Sequence, residues 1–325
     1  MTANTIAQNA KTVNRYLTGK LKGKPQSLYQ AASYLIVNGG KRLRPFMVIK
    51  SSQILGGKIK DTLPAASAIE MIHNFTLVHD DIMDNDEIRH GVPTVHKKFG
   101  MPVAILAGDV LFSKAYQVIS NSNLPSSSSR QLVSKLAQAC VNVCEGQLLD
   151  IKMAEGKKIP TQKNYIEMIK KKTAALFEVS CSMGAICAGA KQKDQENLSS
   201  FGRNLGIAFQ ITDDLIGVLG DPKVTKKPVG NDLREGKKSL PIVLAINKSK
   251  GTDRKIILKT FGNSRATKKE IEKAVNVIRS LGIEKIVRNQ AHNYAQKAKK
   301  SLDSYSGSAK NELISLLNFV VKRSL

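Results

Sequence analysis

Apolar residues recur at intervals of three and four along most of this chain of 325 residues. The pattern is clearest in three segments, residues 28–37, 65–78 and 103–119. Such spacing places apolar side chains on one face of an α-helix, whereas a half-buried strand would alternate apolar and polar residues. The sequence contains no alternating segment of useful length. The chain is therefore predicted to be all-α.

Segments rich in glycine, proline or serine interrupt this pattern without dividing the chain. They lie at residues 23–25, 56–57, 91–93, 121–129, 156–160 and 221–236. Each is predicted to be a loop between helices, and the sequence shows neither a long linker nor an internal repeat. We expect a single all-helical domain over residues 1–325, with the more polar helices of residues 266–322 at its periphery.

The chain is strongly basic, with 51 Lys and Arg residues, 26 Asp and Glu residues and a net charge of +25. Such a charge suggests an anionic partner, which could be nucleic acid, a membrane surface or a phosphorylated small molecule. Nucleic-acid binding is not expected, because the lysines are scattered, aromatic residues make up only 5% of the chain and Trp is absent. Most of the charge is interpreted as general solvation by lysine.

Neither a secretory signal nor a membrane span is predicted. The first 20 residues lack the apolar block of a signal peptide, and no stretch is judged long and apolar enough to cross a membrane. We expect a cytoplasmic protein without stable membrane insertion. The cysteines are predicted to be buried free thiols, because no zinc-ligand spacing is completed around Cys140, Cys144, Cys181 and Cys187.

Two carboxylates at helical spacing lie in the segment 72–91, which is apolar up to Val78. Asp80 and Asp84 belong to an Asp-Asp-Ile-Met-Asp sequence, so a helix would place them on one face, about 6 Å apart along its axis. Like charges at this spacing weaken a helix unless something positive lies between them. A hard divalent cation with open positions for phosphate oxygens is the interpretation that fits best.

A second acidic segment has the same helical spacing. Gln210, Asp213, Asp214 and Gly217 fall at i, i+3, i+4 and i+7, so a helix would place them on a single face. Two carboxylate-bearing helices that faced each other across a cavity could hold several cations. The two acidic segments together therefore predict a site for more than one metal ion.

Three basic segments accompany the carboxylates. They are residues 39–45 (Gly-Gly-Lys-Arg-Leu-Arg-Pro), the loop of residues 226–241, and Lys172 at the start of Lys-Thr-Ala. Taken alone, residues 39–45 could be the basic start of a helix. A Lys172 side chain that points outward into solvent would have no functional meaning. Together with the acidic pairs, however, they indicate metal ions that bind a multiply charged anion, as in magnesium-dependent diphosphate chemistry. The sequence contains no P-loop or dinucleotide-binding glycine motif.

These segments, in this order, resemble the trans-isoprenyl diphosphate synthases. The similarity runs from about residue 39 to 241 and includes GGKRLRP, the helix with His73, DDIMD followed by Arg89, GQLLD, KTA, QITDD and KPVGND with EGKKSLP. The resemblance implies a bundle of long helices around a deep apolar cavity, the isoprenoid synthase fold, in a homodimer. It also implies head-to-tail joining of isopentenyl diphosphate to an allylic diphosphate.

The resemblance further implies a role for each matching side chain. Three Mg²⁺ ions with bound diphosphate would be held by Asp80, Asp84 and Asp213. Departure of the diphosphate from the allylic substrate would be assisted by Lys172 and Lys227, together with Arg89. Thr173 and Gln210 match positions near the resulting carbocation, and Gln147 and Asp150 match a pair facing the cavity. Isopentenyl diphosphate would be bound by Lys41, Arg44, His73, Arg89, His90 and Lys237, with released diphosphate as the base that removes the final proton.

Three positions depart from the family pattern. Gly217 stands where the second acidic motif usually ends in Asp, which leaves Asp213 as the main ligand there and Asp214 in an orienting part. His90 stands where a second Arg commonly follows Arg89, so binding of isopentenyl diphosphate is expected to be weaker or more dependent on pH. Ser239 replaces a usual Thr, a change interpreted as neutral.

The resemblance also predicts the length of the product. Phe75 lies five residues before Asp80, about 7.5 Å along a helix, where bulky groups of this family form the floor of the cavity. The neighbouring Thr76 leaves more room than a second aromatic residue would. We therefore expect geranylgeranyl diphosphate, with 20 carbons, as the product of an archaeal-type, short-chain enzyme, although Phe75 could equally be a plain core residue.

Other functions remain open at this stage. One is a farnesyl diphosphate synthase, and another is a weakly active or regulatory subunit of a heteromeric prenyl synthase. A terpene cyclase would share one acidic helix but would not need the cations at Lys41, Arg44 and Lys237. A non-enzymatic basic scaffold for anionic partners is the fourth alternative.

Overall fold

The computed structural model describes residues 2–156, 158–220 and 229–322. Lys227, which is predicted to assist departure of diphosphate, lies outside these residues. The described residues form α-helices and one two-stranded antiparallel hairpin, in which β1 (Ile88–Arg89) pairs with β2 (Val92–Pro93). The prediction of an all-α protein is confirmed.

The helices are numbered in chain order. They are α1 (Thr2–Lys20), α2 (Gln26–Asn38), α3 (Leu43–Gln53), α4 (Ile59–Met83), α5 (Val95–Phe99), α6 (Met101–Ser120), α7 (Ser126–Glu155), α8 (Gln162–Ile169), α9 (Ala175–Cys187), α10 (Gln192–Leu219), α11 (Asn231–Arg234), α12 (Leu240–Lys248), α13 (Gly251–Thr260), α14 (Lys268–Ser280), α15 (Ile283–Lys300) and α16 (Ser308–Val321). A π-helical turn, Lys170–Ala174, joins α8 to α9 without a break.

Most predicted loops coincide with the ends of helices, but one is shorter than expected. The predicted loop of residues 121–129 ends early, because α7 begins at Ser126. The backbone N–H of Ser129 donates to the carbonyl of Pro125 at 2.9 Å, which closes the first helical turn. Proline is well suited to this position because its ring fixes φ near the helical value. The run of serines, which reads as a loop, is therefore the start of a helix.

Contacts divide the chain into two compact units. The first unit comprises Met1–Cys140, Leu176–Ser199 and Ser304–Leu313, and the second comprises Val141–Ala175, Ser200–Asp303 and Ile314–Leu325. The expectation of a single domain over residues 1–325 remains a prediction.

The core of the first unit is built around α4, which packs against α3 and α6. Ile69, Met71 and Ile72 of α4 and Leu111 of α6 are fully buried. The second unit has its own apolar core, to which α8, α10 and α12–α15 contribute. In each unit the apolar stripes that define the helices in the sequence are the faces that pack together.

Helix α6 corrects the prediction that no stretch could span a membrane. Among the described residues it is the helix that is long and apolar enough to do so by length and composition. Only 39% of its apolar window is buried. Met101, Ile105 and Leu106 are 44%, 43% and 53% exposed, so α6 is apolar both on its buried face and on part of its surface.

The cysteines are free thiols, as predicted, but they are not all buried. Cys140 and Cys181 are buried, Cys187 is partly buried and Cys144 is exposed. The Tyr116 hydroxyl approaches Cys140 Sγ at 3.5 Å, whereas Cys144 lies on a part of α7 that faces solvent. Burial is therefore confirmed for Cys140 and Cys181 and wrong for Cys144.

Candidate active site

The first acidic motif lies at the C-terminal end of α4. The helix ends at Met83, but Asp84 keeps helical backbone angles and its N–H donates to the Asp80 carbonyl at 2.8 Å. Asp80 and Asp84 are thus one turn apart, the first partly buried and the second exposed. No three Asp, Glu, His or Cys residues of the described ranges form a metal-binding group. Mg²⁺ typically takes one or two carboxylates together with waters and substrate phosphates, so this pair fits a magnesium ion.

Asp81, between these two carboxylates, is fully buried and holds Arg89. Arg89 Nε donates to Asp81 Oδ1 at 2.8 Å, its Nη2 donates to the same oxygen, and Nη2 also donates to Asp86 Oδ2 at 3.0 Å. Burial opposes the charge of Arg89, but the Asp81 and Asp86 carboxylates outweigh it and raise its pKa. Asp80 also raises the pKa of Arg89. Asp81 therefore fixes a cation close to the proposed metal ligand.

Arg42 determines the shape of the basic segment 39–45. It has a left-handed backbone, with φ of 53°, and its side chain is buried. Its guanidinium forms an ion pair with the buried Glu70 at 3.0 Å and donates to Gly39 O at 2.6 Å, to Asn14 Oδ1 at 2.7 Å and to the carbonyl of Ile36. Arg42 is therefore an internal anchor for the segment.

Three of the predicted ligands of isopentenyl diphosphate, Arg44, Arg89 and His90, lie close enough to the predicted ligand His73 in the first unit for their charges to act on it. Burial first, and then the positive charges of Arg44, Arg42 and Arg89, together with that of His90 when it is protonated, hold the pKa of His73 well below its usual value. The Arg44 guanidinium lies 4.5 Å from the centre of the Phe177 ring, and burial lowers its pKa to about 10. A neutral imidazole surrounded by cations is a place where an anion would be stabilised.

His90 joins this cluster through an unusual backbone. Its φ is 56°, and its ring covers Gly39 so closely that a Cβ at position 39 would lie 2.8 Å from His90 Cγ. Burial, followed by Arg89 and Arg42, lowers the pKa of His90. The His90 imidazole is therefore neutral near pH 7. Lys41, the remaining predicted ligand of this segment, is exposed.

Phe75 begins a row of aromatic rings that runs from α4 to α6. Its ring centre is 4.7 Å from that of His79 and 5.2 Å from that of Phe112, and Phe112 is 5.0 Å from Tyr116. Thr76 Oγ1 donates to the His73 carbonyl at 2.8 Å, so its side chain is held against its own helix. Phe112 is absent from the sequence prediction because its spacing is that of any core position.

In the second unit, the π-helical turn positions Lys172. Such a turn inserts one extra residue into a helix and frequently marks a functional site. A Cβ at Gly146 of α7 would lie 2.2 Å from the backbone nitrogen of Lys172, so only glycine permits this approach. Lys172 Nζ donates to Asp150 Oδ2 at 2.6 Å. Gln147, one turn before Asp150, is buried, and its Oε1 has no hydrogen-bond partner in the described structure.

Thr173 and Gln210 belong to a hydrogen-bonded chain that ends at Asp214. Thr173 Oγ1 donates to Gln210 Oε1 at 2.9 Å, and Gln210 Nε2 donates to Asp214 Oδ1 at 2.7 Å. Tyr165 donates to Asp214 Oδ2 at 2.6 Å. Burial raises the pKa of Asp214 to about 6 against the effect of the Tyr165 hydrogen bond. Asp214 therefore orients Gln210, whereas the neighbouring Asp213 is exposed.

The adjacent lysines Lys237 and Lys238 have different surroundings. Lys237 reaches the surface, and although the surrounding protein opposes its charge, Asp232 and Asp214 raise its pKa. Lys238 is buried and donates to the carbonyls of Met153 (2.5 Å), Ala154 (3.4 Å) and Gly156. It therefore caps the C-terminal end of α7, where helical carbonyls lack partners and a positive charge is favoured.

Comparison with known proteins identifies the family. A sequence model of the family described as Polyprenyl synthetase matches residues 25–278. The chain belongs to the polyprenyl synthetase family. The matched range contains every predicted site residue, from Lys41 to Lys237.

Known relatives match nearly the whole length of this chain. It is 41% identical over 305 residues to the geranylgeranyl diphosphate synthase of Sulfolobus acidocaldarius, with 93% of this chain and 92% of the relative covered. It is 40% identical over 325 residues to the geranylgeranyl pyrophosphate synthase of Geoglobus acetivorans, with 99% of each covered. The crystal structure of geranylgeranyl pyrophosphate synthetase from Pyrococcus horikoshii is 37% identical, with a TM-score of 0.94 over 99% of this chain and 98% of that one. The predicted isoprenoid synthase fold is confirmed.

The polar groups that position the candidate site were not identified from the sequence. Arg42 with Glu70 anchors the basic segment, and Tyr165 orients Asp214. One available signal was Glu70 itself, a carboxylate within an otherwise apolar helical stretch, which requires a buried cation as partner. Tyr165 gave no comparable signal, because an aromatic residue at helical spacing is usually part of a core.

Proposed function

We propose that this protein is a Mg²⁺-dependent short-chain prenyl diphosphate synthase that joins isopentenyl diphosphate head-to-tail to allylic diphosphates and yields geranylgeranyl diphosphate. The observation that carries the proposal is the cluster of Arg44, Arg89 and His90 around His73, close in the chain to the carboxylate pair of α4. The names of the archaeal relatives support the same activity.

Asp80, Asp84 and Asp213 are the proposed magnesium ligands. Bound magnesium would neutralise diphosphate and assist its departure from the allylic carbon as a Lewis acid. Asp81 holds Arg89 beside these charges, and Asp150 holds the Lys172 ammonium at 2.6 Å. Both cations are oriented before substrate arrives, so their stabilisation of the leaving group requires little reorganisation. Lys227 has the same role in the proposal.

Arg44, His73, Arg89 and His90, with Lys41 and Lys237, are the proposed contacts of isopentenyl diphosphate. The double bond of this substrate then attacks the allylic carbocation. Thr173 donates to Gln210, so its oxygen lone pairs remain available to stabilise positive charge. Asp214 keeps the Gln210 amide in the orientation that accepts this hydrogen bond. Released diphosphate takes the final proton, since no protein base is assigned to this step.

The test is incorporation of labelled isopentenyl diphosphate by the purified protein with geranyl or farnesyl diphosphate as primer. We expect incorporation that requires both Mg²⁺ and a primer, and a product of 20 carbons after removal of the phosphates. A product of 15 carbons would support a farnesyl diphosphate synthase instead. Absence of incorporation with Mg²⁺ and either primer present would contradict the assignment.

Phe75→Ala is expected to lengthen the product. Its ring lies between α4 and Phe112, and its removal opens a space of about one isoprene unit before the next aromatic ring. Chromatography should show 25-carbon or longer chains, and Phe112→Ala added to this variant should lengthen them further. Phe319→Ala, at a surface residue that is 48% exposed, is the control. An unchanged product length in Phe75→Ala would rule out this position as the floor.

The contribution of His73 to stability is expected to fall below pH 6.5, and isopentenyl diphosphate should reduce that fall. The pKa of His73 is lower in the folded chain than in the unfolded chain, so the unfolded chain takes up the proton first as the pH drops. A diphosphate bound beside His73 favours the imidazolium and opposes this effect. Melting temperatures at pH 7.5 and 5.5, with and without the ligand, test it. In His73→Gln, the ligand should no longer alter the change in melting temperature between the two pH values. The same ligand effect in the variant and in the wild type would contradict the placement of diphosphate beside His73.

We also propose a homodimer in which the exposed apolar face of α6 is covered by a second copy. Ile105 and Leu106 are about half exposed on a helix that is apolar enough to span a membrane. Leu106→Lys is expected to halve the mass measured by light scattering during gel filtration. Val37→Lys, at an exposed apolar residue of α2, is the control. A dimer unaffected by Leu106→Lys would place the interface elsewhere.

A further inference from the structure

The second acidic motif has a glycine, which lacks a side chain, at position 217. Gln210, Asp213, Asp214 and Gly217 follow one another at helical spacing on α10, and the last of them has no side chain. A side chain at position 217 would lie one turn beyond Asp213 on the same face of the helix. The first motif, by contrast, ends in a carboxylate, that of Asp84.

A carboxylate from elsewhere in the second unit lies where the side chain of residue 217 would be. A Cβ built on Gly217 would lie 2.6 Å from Oδ2 and 2.8 Å from both Cγ and Oδ1 of Asp232. These distances are shorter than the van der Waals contact of a Cβ with carbon or oxygen, so a side chain at position 217 would displace the Asp232 carboxylate from its observed place. All three nearest atoms belong to this one carboxylate.

The position of Asp232 is fixed by its own segment. It lies in the first turn of the short helix α11, and its residue is only 7% exposed. The backbone N–H of Lys237 donates to the Asp232 carbonyl at 2.9 Å, which folds the segment back toward its start. Of the carboxylates near Lys237, Asp232 has the largest effect in raising its pKa. A buried carboxylate needs such a cation nearby.

The charge of Asp232 acts on the residues of the second acidic motif. It raises the pKa of Asp214, which orients Gln210, and that of Tyr165, which donates to Asp214. Asp232 is therefore part of the same electrostatic environment as α10, although 15 positions or more separate it from the motif in sequence. Sequence spacing alone could not have revealed this, because α11 is separate from α10 in the chain.

We propose that Asp232 is a positioning residue that supplies in space the carboxylate missing from position 217, and that Gly217 is required to leave room for it. This inference rests on the proposed magnesium-dependent function. In it, Asp232 adds negative charge beside Gly217, one helical turn from Asp213, and thereby strengthens the binding of magnesium with diphosphate. An Asp at position 217 and an Asp at position 232 are then alternative sources of one carboxylate.

The test is a carboxylate swap, measured as magnesium-dependent binding of inorganic diphosphate to the full-length protein by calorimetry. Asp232→Asn keeps the shape but removes the charge, and we expect it to raise the magnesium concentration for half-saturation roughly tenfold or more. Gly217→Asp alone should also weaken binding, because two carboxylates compete for one space. The double variant Gly217→Asp with Asp232→Gly should recover most of the affinity. Glu235→Gln, at an exposed residue of the same segment, is the control.

The outcomes separate this inference from a purely structural role for Asp232 and from the proposed function. A structural role predicts lower melting temperatures in Asp232→Asn with an unchanged magnesium midpoint, and that result would overturn the inference. A double variant no better than Gly217→Asp alone would also overturn it. If Asp232→Asn does not fold, Gly217→Ala, which displaces the same carboxylate, must raise the midpoint. Wild-type protein that binds no diphosphate with Mg²⁺ would instead contradict the proposed function. In that case, the melting temperatures of the same variants without ligands would still test whether side chains at positions 217 and 232 compete for one space.

Discussion

Asp80→Asn is expected to lower the turnover of allylic diphosphate by about 1,000-fold, equivalent to about 4 kcal/mol of activation free energy. The substitution keeps the size of the side chain and removes the charge of a proposed magnesium ligand at the end of α4. Asp80 also supports the charge of Arg89, so its loss weakens a second group near the leaving diphosphate. Steady-state turnover with saturating substrates, measured across magnesium concentrations, is the readout.

A matched substitution on the same helix controls for effects on folding. Asp61→Asn removes a carboxylate from the first turn of α4 and should leave turnover close to that of wild type. Both variants should have similar melting temperatures without magnesium. Asp80 would not be a principal metal ligand if Asp80→Asn retained more than about a tenth of wild-type turnover. Such a result would mean that the substitution raises the activation free energy by less than about 1.4 kcal/mol.

Arg44→Gln is expected to raise the KM for isopentenyl diphosphate by about 10- to 100-fold, since a hydrogen bond to a charged group contributes about 1.5–3 kcal/mol. Arg44 lies against Phe177, and its Nε has no hydrogen-bond partner in the described structure. A donor held in this way beside His73 is oriented for an anion without being neutralised by a carboxylate at contact distance. Initial rates over a range of isopentenyl diphosphate concentrations provide the measurement.

The KM for the allylic primer is the internal control, because Arg44 is assigned to the other substrate. Arg44→Lys should fall between wild type and Arg44→Gln, since lysine keeps the charge but loses the planar contact with Phe177. An equal rise in both KM values would indicate a general disturbance of the first unit. No rise in either would remove Arg44 from the site.

The features of the site that could be predicted from the sequence are those that depend on the spacing of residues along a single helix. Asp80 and Asp84 remain one turn apart in the structure, and Gln210 and Asp214 meet through a hydrogen bond, as helical periodicity requires. The all-α fold follows from the same periodicity. These features could be predicted because the relevant residues lie within about one turn of each other in the chain.

Features that depend on contacts between distant segments could not be predicted in this way. The ion pair of Arg42 with Glu70 joins residues 28 positions apart, and the hydrogen bond of Tyr165 to Asp214 joins residues 49 positions apart. The backbone of the π-helical turn at Lys172 packs against Gly146, which lies 26 positions earlier in the chain. The exposed apolar face of α6 was missed for another reason, since spacing alone does not say whether an apolar face is covered.

In the proposed mechanism, the site separates charge at the allylic diphosphate before the new carbon–carbon bond forms. The most direct measurement is the rate of incorporation with an allylic primer that carries fluorine next to the reacting carbon. Fluorine destabilises a carbocation, and a destabilisation of about 3 kcal/mol lowers the rate by about 100-fold. We predict a decrease of at least this size with Mg²⁺ present and with binding of the primer unchanged. A rate equal to that of the unsubstituted primer would contradict the account.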